Sequence, residues 1–271
     1  MSLHSNPLPL RRRYLRQVHR LIHPPQRITR DPQVSAYSLQ MPRLPRNCSG
    51  LRIVQLSDIH YSLYLPSNTA ERAVELANRL QPDIIALTGD FVTATRQFIE
   101  PVADLLGHLR ARLGVFAVLG NHDFRVDAAM ISRALARRRI RVLRNSHRRV
   151  QIAGERITIA GIDDARQQPD LAAALGARRM HGFTLLLAHS PASLPDAARH
   201  GVDLVLSGHT HGGQIHLGIP AAAPFYDRHF PVGFLQEGAT RMYVSRGLGK
   251  VIVPWRVGCP PEIAAFTLHS D

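Results

Sequence analysis

From residue 51 onward the chain alternates short apolar runs with amphipathic stretches, and each apolar run stops abruptly at polar residues. LRIVQLSD (51–58), DIIALTGD (83–90), VFAVLGNHD (115–123), FTLLLAHS (183–190) and VDLVLSGHTH (202–211) read as strands. They are dense in Val, Ile and Leu and bounded by Gly, Asp or His, as strands buried on both faces are. NTAERAVELANRL (68–80) puts Ala73, Leu76, Ala77 and Leu80 on one helical face. PVADLLGHLRARL (101–113) and AAMISRALARRR (128–139) also read as helices. RVQIA (149–153) and RITIAGIDD (156–164) predict a hairpin around Gly154, and RMYVSRGLG (241–249) and EIAAFTLHS (262–270) are the last strands. Strands spaced by helices, followed by a β-richer half, predict an α/β fold of two stacked mixed β-sheets flanked by helices. The Pro-rich stretch 216–233 reads as a loop. Residues 1–46 are expected to be a basic N-terminal arm and 47–271 a single folded domain.

Length adds that 271 residues can bury a substantial core. Charge adds more. The net charge is +14, but residues 1–46 and 133–149 each carry +8, so the remainder is near −2. Two basic patches therefore sit on a nearly neutral body, and such patches favour anionic partners. Lys250 is the only lysine, so part of this excess reflects a general use of Arg. In the arm, Leu10, Tyr14, Val18, Leu21 and Ile22 share a helical face, with arginines mostly elsewhere, until Pro24 and Pro25 end the pattern. Such a helix either lies on an anionic membrane surface or packs on the domain, and peripheral membrane contact is the preferred reading. RRRYLR (11–16) resembles a twin-arginine export signal, but the polar, proline-broken QVHRLIHPPQR follows it where an apolar stretch should. A cytoplasmic protein, peripheral at the inner membrane face, is expected. Cys48 and Cys259 cannot form a disulfide framework and read as buried or free thiols. No apolar run is long enough to span a bilayer.

The strand ends carry the chemistry. Asp58 and His60, then Asp90, then Asn121, His122 and Asp123, then His189, then His209 and His211 follow five successive apolar runs. Sites in α/β folds assemble at the carboxyl ends of strands, so these residues should converge although they span 154 positions. A lone Gly-Asp or a lone His at a strand end is ordinarily a polar turn; their joint occurrence is not explained that way. Imidazole, carboxylate and amide oxygens suit borderline divalent ions, Mn foremost among Mn, Fe, Zn and Co. Two such cations at about 3.5–4 Å need a bridging ligand, and Asp90 is the natural one. Glycines at 89, 120, 208, 212 and 213 admit sharp turns and close backbone approach.

The pattern D-x-H, GD, GNHD, H, GHTH resembles the calcineurin-like metallophosphoesterase superfamily from about Leu51 to Leu268. YVSRGLG and CPPEIAAFTL resemble its bacterial envelope-associated phosphodiesterase branch, which includes UDP-diacylglucosamine pyrophosphatases of lipid A synthesis. The resemblance implies a four-layer α/β/β/α sandwich with a binuclear metal centre. It implies that Asp58, His60, Asp90 and His211 hold one metal, and that Asp90, Asn121, His189 and His209 hold the other. It implies hydrolysis of a phosphodiester or pyrophosphate by a metal-bridged hydroxide, with His122 protonating the leaving oxygen. Asp123 is expected to orient His122 and keep it cationic, and Arg246 to contact phosphate. The implied partner is a phosphorylated substrate, such as a nucleotide-linked or envelope lipid.

Asp163, Asp164 and His216 are further candidates near the site, with turn or surface positions as the plainer readings. Phe225, Tyr226, Phe230 and Phe234 form an acyl-facing lip or pack on the domain. Two rivals stand. A nuclease or cyclic-nucleotide phosphodiesterase would use the arginines of 133–149, but that segment has no aromatic residue for base stacking. A metal-stabilised scaffold without turnover is opposed by the intact His122–Asp123 pair. Nothing in the pattern fixes an oligomeric state.

Overall fold

The apolar runs form two six-stranded sheets in the computed structural model, which describes residues 31–63, 65, 67–176, 182–214, 230–251 and 255–271. The first sheet contains β1 (Gln33–Gln40), β2 (Leu51–Leu56), β3 (Ile84–Leu87), β4 (Gly114–Ala117), β5 (Ile140–Val142) and β12 (Glu262–His269). Their order is β1-β12-β2-β3-β4-β5. The second contains β6 (Ser146–Ile152), β7 (Glu155–Gly161), β8 (Thr184–Leu187), β9 (Leu204–Ser207), β10 (Gly233–Glu237) and β11 (Thr240–Val244), ordered β10-β11-β9-β8-β7-β6. Strands β2 to β5 are mutually parallel, as are β7, β8, β9 and β11; β12 runs against β2, while β6 and β10 are antiparallel edges. Both sheets are therefore mixed, as the sequence predicts.

Alternation along each strand builds the layers. Ile53, Ile84 and Phe116 of the first sheet meet Ile159, Leu185, Leu206 and Tyr243 of the second in a core between them. Their neighbours Val54, Ile85 and Ala117 face the opposite way, onto α1 (Ser67–Arg79), α2 (Ile99–Leu106) and α3 (Asn121–Arg137). Ala160, Leu186, Val205 and Val244 face α4 (Leu171–Leu175) and α5 (Leu194–Arg199). The result is the α/β/β/α sandwich. No helix among the described residues is long and apolar enough to cross a membrane.

The structure departs from the sequence reading in three places. Residues 33–40, assigned to the arm, are β1, paired in parallel along the whole of β12. Met41 and Leu44 behind it are buried. As an edge strand, β1 buries only Leu39, so QVSAYSLQ carries no apolar run to mark it. Strand β10 begins at Gly233, and Phe234, expected in a loop, lies on it against Tyr37 and Tyr243. The helix expected from residue 128 does begin there, after an extended Asp127 whose carboxylate accepts the Met130 amide at 2.9 Å, but a short helical segment from Asn121 that the sequence reading missed runs into it across that kink to make α3; Gly120 is its extended N-cap, whose amide donates to Asp123 at 2.9 Å. The amphipathic helix expected in residues 10–22 lies outside the described residues.

Candidate metal centre

Because the central strands of each sheet are parallel, their carboxyl ends meet at one end of the sandwich. The first sheet delivers Asp58 and His60 after β2, Asp90 after β3 and Asn121 after β4. The second delivers His189 after β8 and His209 and His211 after β9. All are buried except His209, which is partly so. Ligand atoms from the two sheets then face one another. His211 Nε2 lies 3.4 Å from Asp58 Oδ1 and 3.0 Å from His60 Nε2. His60 Nε2 is 3.4 Å from Asp90 Oδ2. On the other side of that same oxygen, His189 Nε2 is 3.3 Å away. His189 Nε2 is also 3.1 Å from His209 Nδ1 and 3.2 Å from Asn121 Oδ1.

These separations test whether a metal fits. Donors at about 2.0–2.2 Å from one cation stand roughly 2.8–3.6 Å apart in octahedral or tetrahedral arrangements. The observed spacings fall in that range, in two adjoining groups that share Asp90. The donor set is nitrogen and oxygen without thiolate, which suits borderline divalent cations.

The backbone is bent to make this possible. Asp58, His60, Asp90, His209 and His211 all have φ between +47° and +72°. That left-handed region is costly for residues with a Cβ, and it concentrates at functional sites. Space is cleared by Gly120, whose added Cβ would strike Asp90 Oδ1, and by Gly208, whose Cβ would strike Ser57 Oγ and Asp58 Oδ2.

Neighbours aim the ligands. Asp58 accepts from Ser57 Oγ at 2.6 Å and from the His209 amide at 3.1 Å. His189 Nδ1 donates to the Thr88 carbonyl at 2.8 Å, which leaves Nε2 for the cluster. Burial opposes charge on His189, but the Asp90 carboxylate outweighs it and pushes the imidazole up to about 10. Burial also opposes charge on Asp90, and His189 and His60 together hold it well below the carboxylate range. His211 and His209 are lowered, chiefly by burial and then by their imidazole neighbours. A cation would replace the His189 proton as the counter-charge to Asp90.

His122 opens on the cluster beside His60 and Asp90. Its Nδ1 donates to the Thr93 carbonyl at 2.9 Å. Asp123 does not orient it, which corrects the sequence expectation. Asp123 Oδ2 accepts the amides of Asp90 (2.8 Å) and Gly120 (2.9 Å), and Oδ1 those of Phe91 (2.9 Å) and Val92 (3.3 Å). As the third residue of α3 it points back across the loops after β3 and β4, away from its neighbour's ring. His122 is accordingly not raised: burial lowers it, against the pull of Asp90. The Arg246 guanidinium donates through Nη2 to Glu262 Oε1 (2.9 Å) and Ser35 Oγ (3.0 Å). Asp163 pairs with Arg144, and Asp164 accepts the Arg166 amide. His216, Phe225 and Tyr226 lie outside the described residues.

Sequence reading missed Thr93 and Arg256. Arg256 is buried and donates to the carbonyls of Gly249 (2.7 Å) and Arg246 (2.9 Å), with Nη2 3.3 Å from His211 Nδ1. It ties the loop after β11 to a cluster histidine. No local signal in the sequence marks it.

Comparison with known proteins agrees with the site. The calcineurin-like phosphoesterase family matches residues 51–213. The Bacillus subtilis metallophosphoesterase YkuE, described as uncharacterized, is 34% identical over 245 residues, covering 88% of this chain and 86% of that one. The Escherichia coli phosphodiesterase YaeI is 29% identical over 231 residues, 82% of this chain and 83% of its own. A Danio rerio protein named a transmembrane protein with metallophosphoesterase domain is 31% identical across 88% of this chain, which spans only 58% of it. Among solved structures, TT1561 of Thermus thermophilus shares the fold with a TM-score of 0.51 at 17% identity, over 74% of this chain and 91% of that one.

Proposed function

The chain belongs to the calcineurin-like phosphoesterase family and is a metal-dependent phosphoesterase, and from that premise we propose that it hydrolyses a phosphodiester or pyrophosphate bond at a two-metal centre. The observation that supports this is the pair of donor groups joined through Asp90 Oδ2. Asp58, His60, Asp90 and His211 would hold one cation, and Asp90, Asn121, His189 and His209 the other. Bound there, two divalent cations supply positive charge for the phosphate oxygens and lower the pKa of the attacking water. Mn²⁺ is the first choice for this donor set, with Fe, Zn and Co as alternatives.

The chain's own residues do the rest. The His122 Nδ1 proton is fixed on the Thr93 carbonyl, so Nε2 is the nitrogen that carries a second proton to the leaving oxygen. Asp123 holds Asp90 and Gly120 in register by their amides. Thr88 and Ser57 fix His189 and Asp58. The proposed substrate is a nucleotide-linked or envelope lipid phosphate met at the inner membrane face. Seven arginines precede the described residues and support that location.

The test pairs a chromogenic diester with UDP-diacylglucosamine in mixed micelles, with Mn²⁺ and Asp90→Asn as the inactive control. Diester hydrolysis abolished in the control supports the two-metal reading, and UMP release supports the pyrophosphate form. For His122→Ala, the loss should be at least about tenfold larger on an alkyl leaving group than on p-nitrophenol, which departs without a proton. Equal losses would remove His122 as the acid. No hydrolysis of either substrate with any of the four metals would remove the proposal.

A further inference from the structure

One side of the sandwich is closed by β5 on the first sheet and β6 on the second, each without a further neighbour. Between these edges and the second half of α3 lies a cleft of about 730 Å³. Arg133, Arg139, Arg141 and Arg148 line it over an apolar floor that includes Ile140 and Leu143. All four arginines are exposed.

The acids on this side of the molecule are used elsewhere. Glu100 and Asp104 pair with Arg137 and Arg138, and Asp163 pairs with Arg144. No carboxylate among the described residues lines the cleft. Among the described residues, no ion pair engages Arg133, Arg139 or Arg148. Arg141 donates to the Leu113 carbonyl at 3.3 Å and stands over the Phe116 ring at 5.4 Å, which fixes its head without neutralising it. Of the eight arginines in 133–149, three thus pair with carboxylates and four, without counter-charge, share one concavity. Like charges gathered in a concave site focus an anion-attracting field. Guanidinium groups match phosphate oxygens by paired hydrogen bonds.

We propose that this cleft is an anion site, separate from the metal centre, that holds the phosphate of a small ligand or of a lipid headgroup. His122 is in the first turn of α3 and Arg133 eleven residues on, beyond the kink at Asp127, and none of the metal-centre residues lines the cleft. A ligand in the cleft therefore does not touch the reacting atoms. The bounded volume and apolar floor suit a single phosphorylated group better than a nucleic-acid strand, and no aromatic ring lines the cleft for stacking.

The experiment uses the full metal-loaded chain and three proteins: wild type, Arg133→Gln/Arg139→Gln/Arg148→Gln, and a control with Arg46→Gln/Arg79→Gln/Arg110→Gln. The control changes three exposed arginines elsewhere and removes the same charge. Each protein is titrated calorimetrically with methylenediphosphonate in excess Mn²⁺ and floated with phosphatidylglycerol or phosphatidylcholine vesicles. Hydrolysis of a chromogenic diester should be unchanged in both variants. A second diphosphonate event weakened about tenfold or more in the cleft variant alone identifies a free phosphate ligand. Flotation on phosphatidylglycerol weakened in the cleft variant alone, without a soluble second event, identifies the lipid headgroup. Equal behaviour of the two variants in both arms overturns the site, as does cleft-dependent binding of a DNA duplex tighter than either probe.

Discussion

Replacing Asp123 by Asn separates two explanations of the same residue. If Asp123 acted through His122, the substitution would change catalysis and leave the fold nearly as stable. The structure gives a different expectation. Each carboxylate oxygen accepts two backbone amides, from Asp90 and Gly120 on one side and from Phe91 and Val92 on the other. An Asn side chain has one acceptor oxygen, so its NH₂ group must face two amide donors in a fully buried site. Burial and then the Asp90 charge push the Asp123 carboxyl up to about 7, so the loss is taken as that of two buried amides left without an acceptor, at about 1–3 kcal/mol each, and the expected cost is about 2–6 kcal/mol. With about 2–4 °C per kcal/mol for a domain near this size, the melting temperature should fall by roughly 4–24 °C. Melting in EDTA isolates this effect from metal binding, because linkage to a bound cation would add its own stabilisation. The loop that carries Asp90 loses its clamp, so Mn²⁺ affinity of the folded variant should fall as well. A melting temperature in EDTA within about 3 °C of wild type would refute the clamp and return Asp123 to a purely catalytic role.

Other predictions follow from the same contacts. Asp90→Asn removes the charge shared by both donor groups; the purified protein should bind fewer than two equivalents of Mn²⁺ by elemental analysis and hydrolyse a diester at least about 10³-fold more slowly. Gly208→Ala drives a methyl group into Ser57 Oγ and Asp58 Oδ2, so it should cost metal at the Asp58 side while circular dichroism stays native; full metal content would contradict the packing. Burial pushes Glu262 up, but the amide and charge of Arg246, with Ser35 and Tyr243, outweigh it and hold the carboxyl below its usual value. Its stabilisation is therefore present above the unfolded value near 4.3 and is lost as pH falls through the lower folded value. Glu262→Gln should destabilise the protein by about 1.5–3 kcal/mol at pH 7, and the gap in urea midpoints should close below about pH 4; a gap that persists at pH 3 would assign the effect to packing instead.

The strand pattern and the candidate ligands were legible because both are local. A buried parallel strand writes itself as an apolar run, and its carboxyl end is marked by the residue that follows, so Asp58, Asp90, His189 and His209 could be placed before any tertiary contact was known. The hairpin at Gly154 was legible for the same reason. Strand β1 was not, because an edge strand with one buried side chain has no apolar run; only its ladder with β12, more than two hundred residues away, makes it part of the sheet. The partners of polar groups were also beyond local reading. Adjacency suggested that Asp123 serves His122, but the first turn of a helix sends successive side chains in different directions, and Asp123 turns back to the amides after β3. Arg246 had no legible partner until Glu262 and Ser35, on strands from opposite ends of the chain, converged on its guanidinium. The sequence also counted eight arginines between 133 and 149, but only the placement of α3, β5 and β6 in the fold decided which three meet carboxylates and which four share a cleft. Composition and periodicity act within a few residues, and they determined the strands and the polar residues at their ends. Ion pairs and ring tautomers are settled over distances of 3 Å in space between groups far apart in the chain, and only the folded sandwich could decide them.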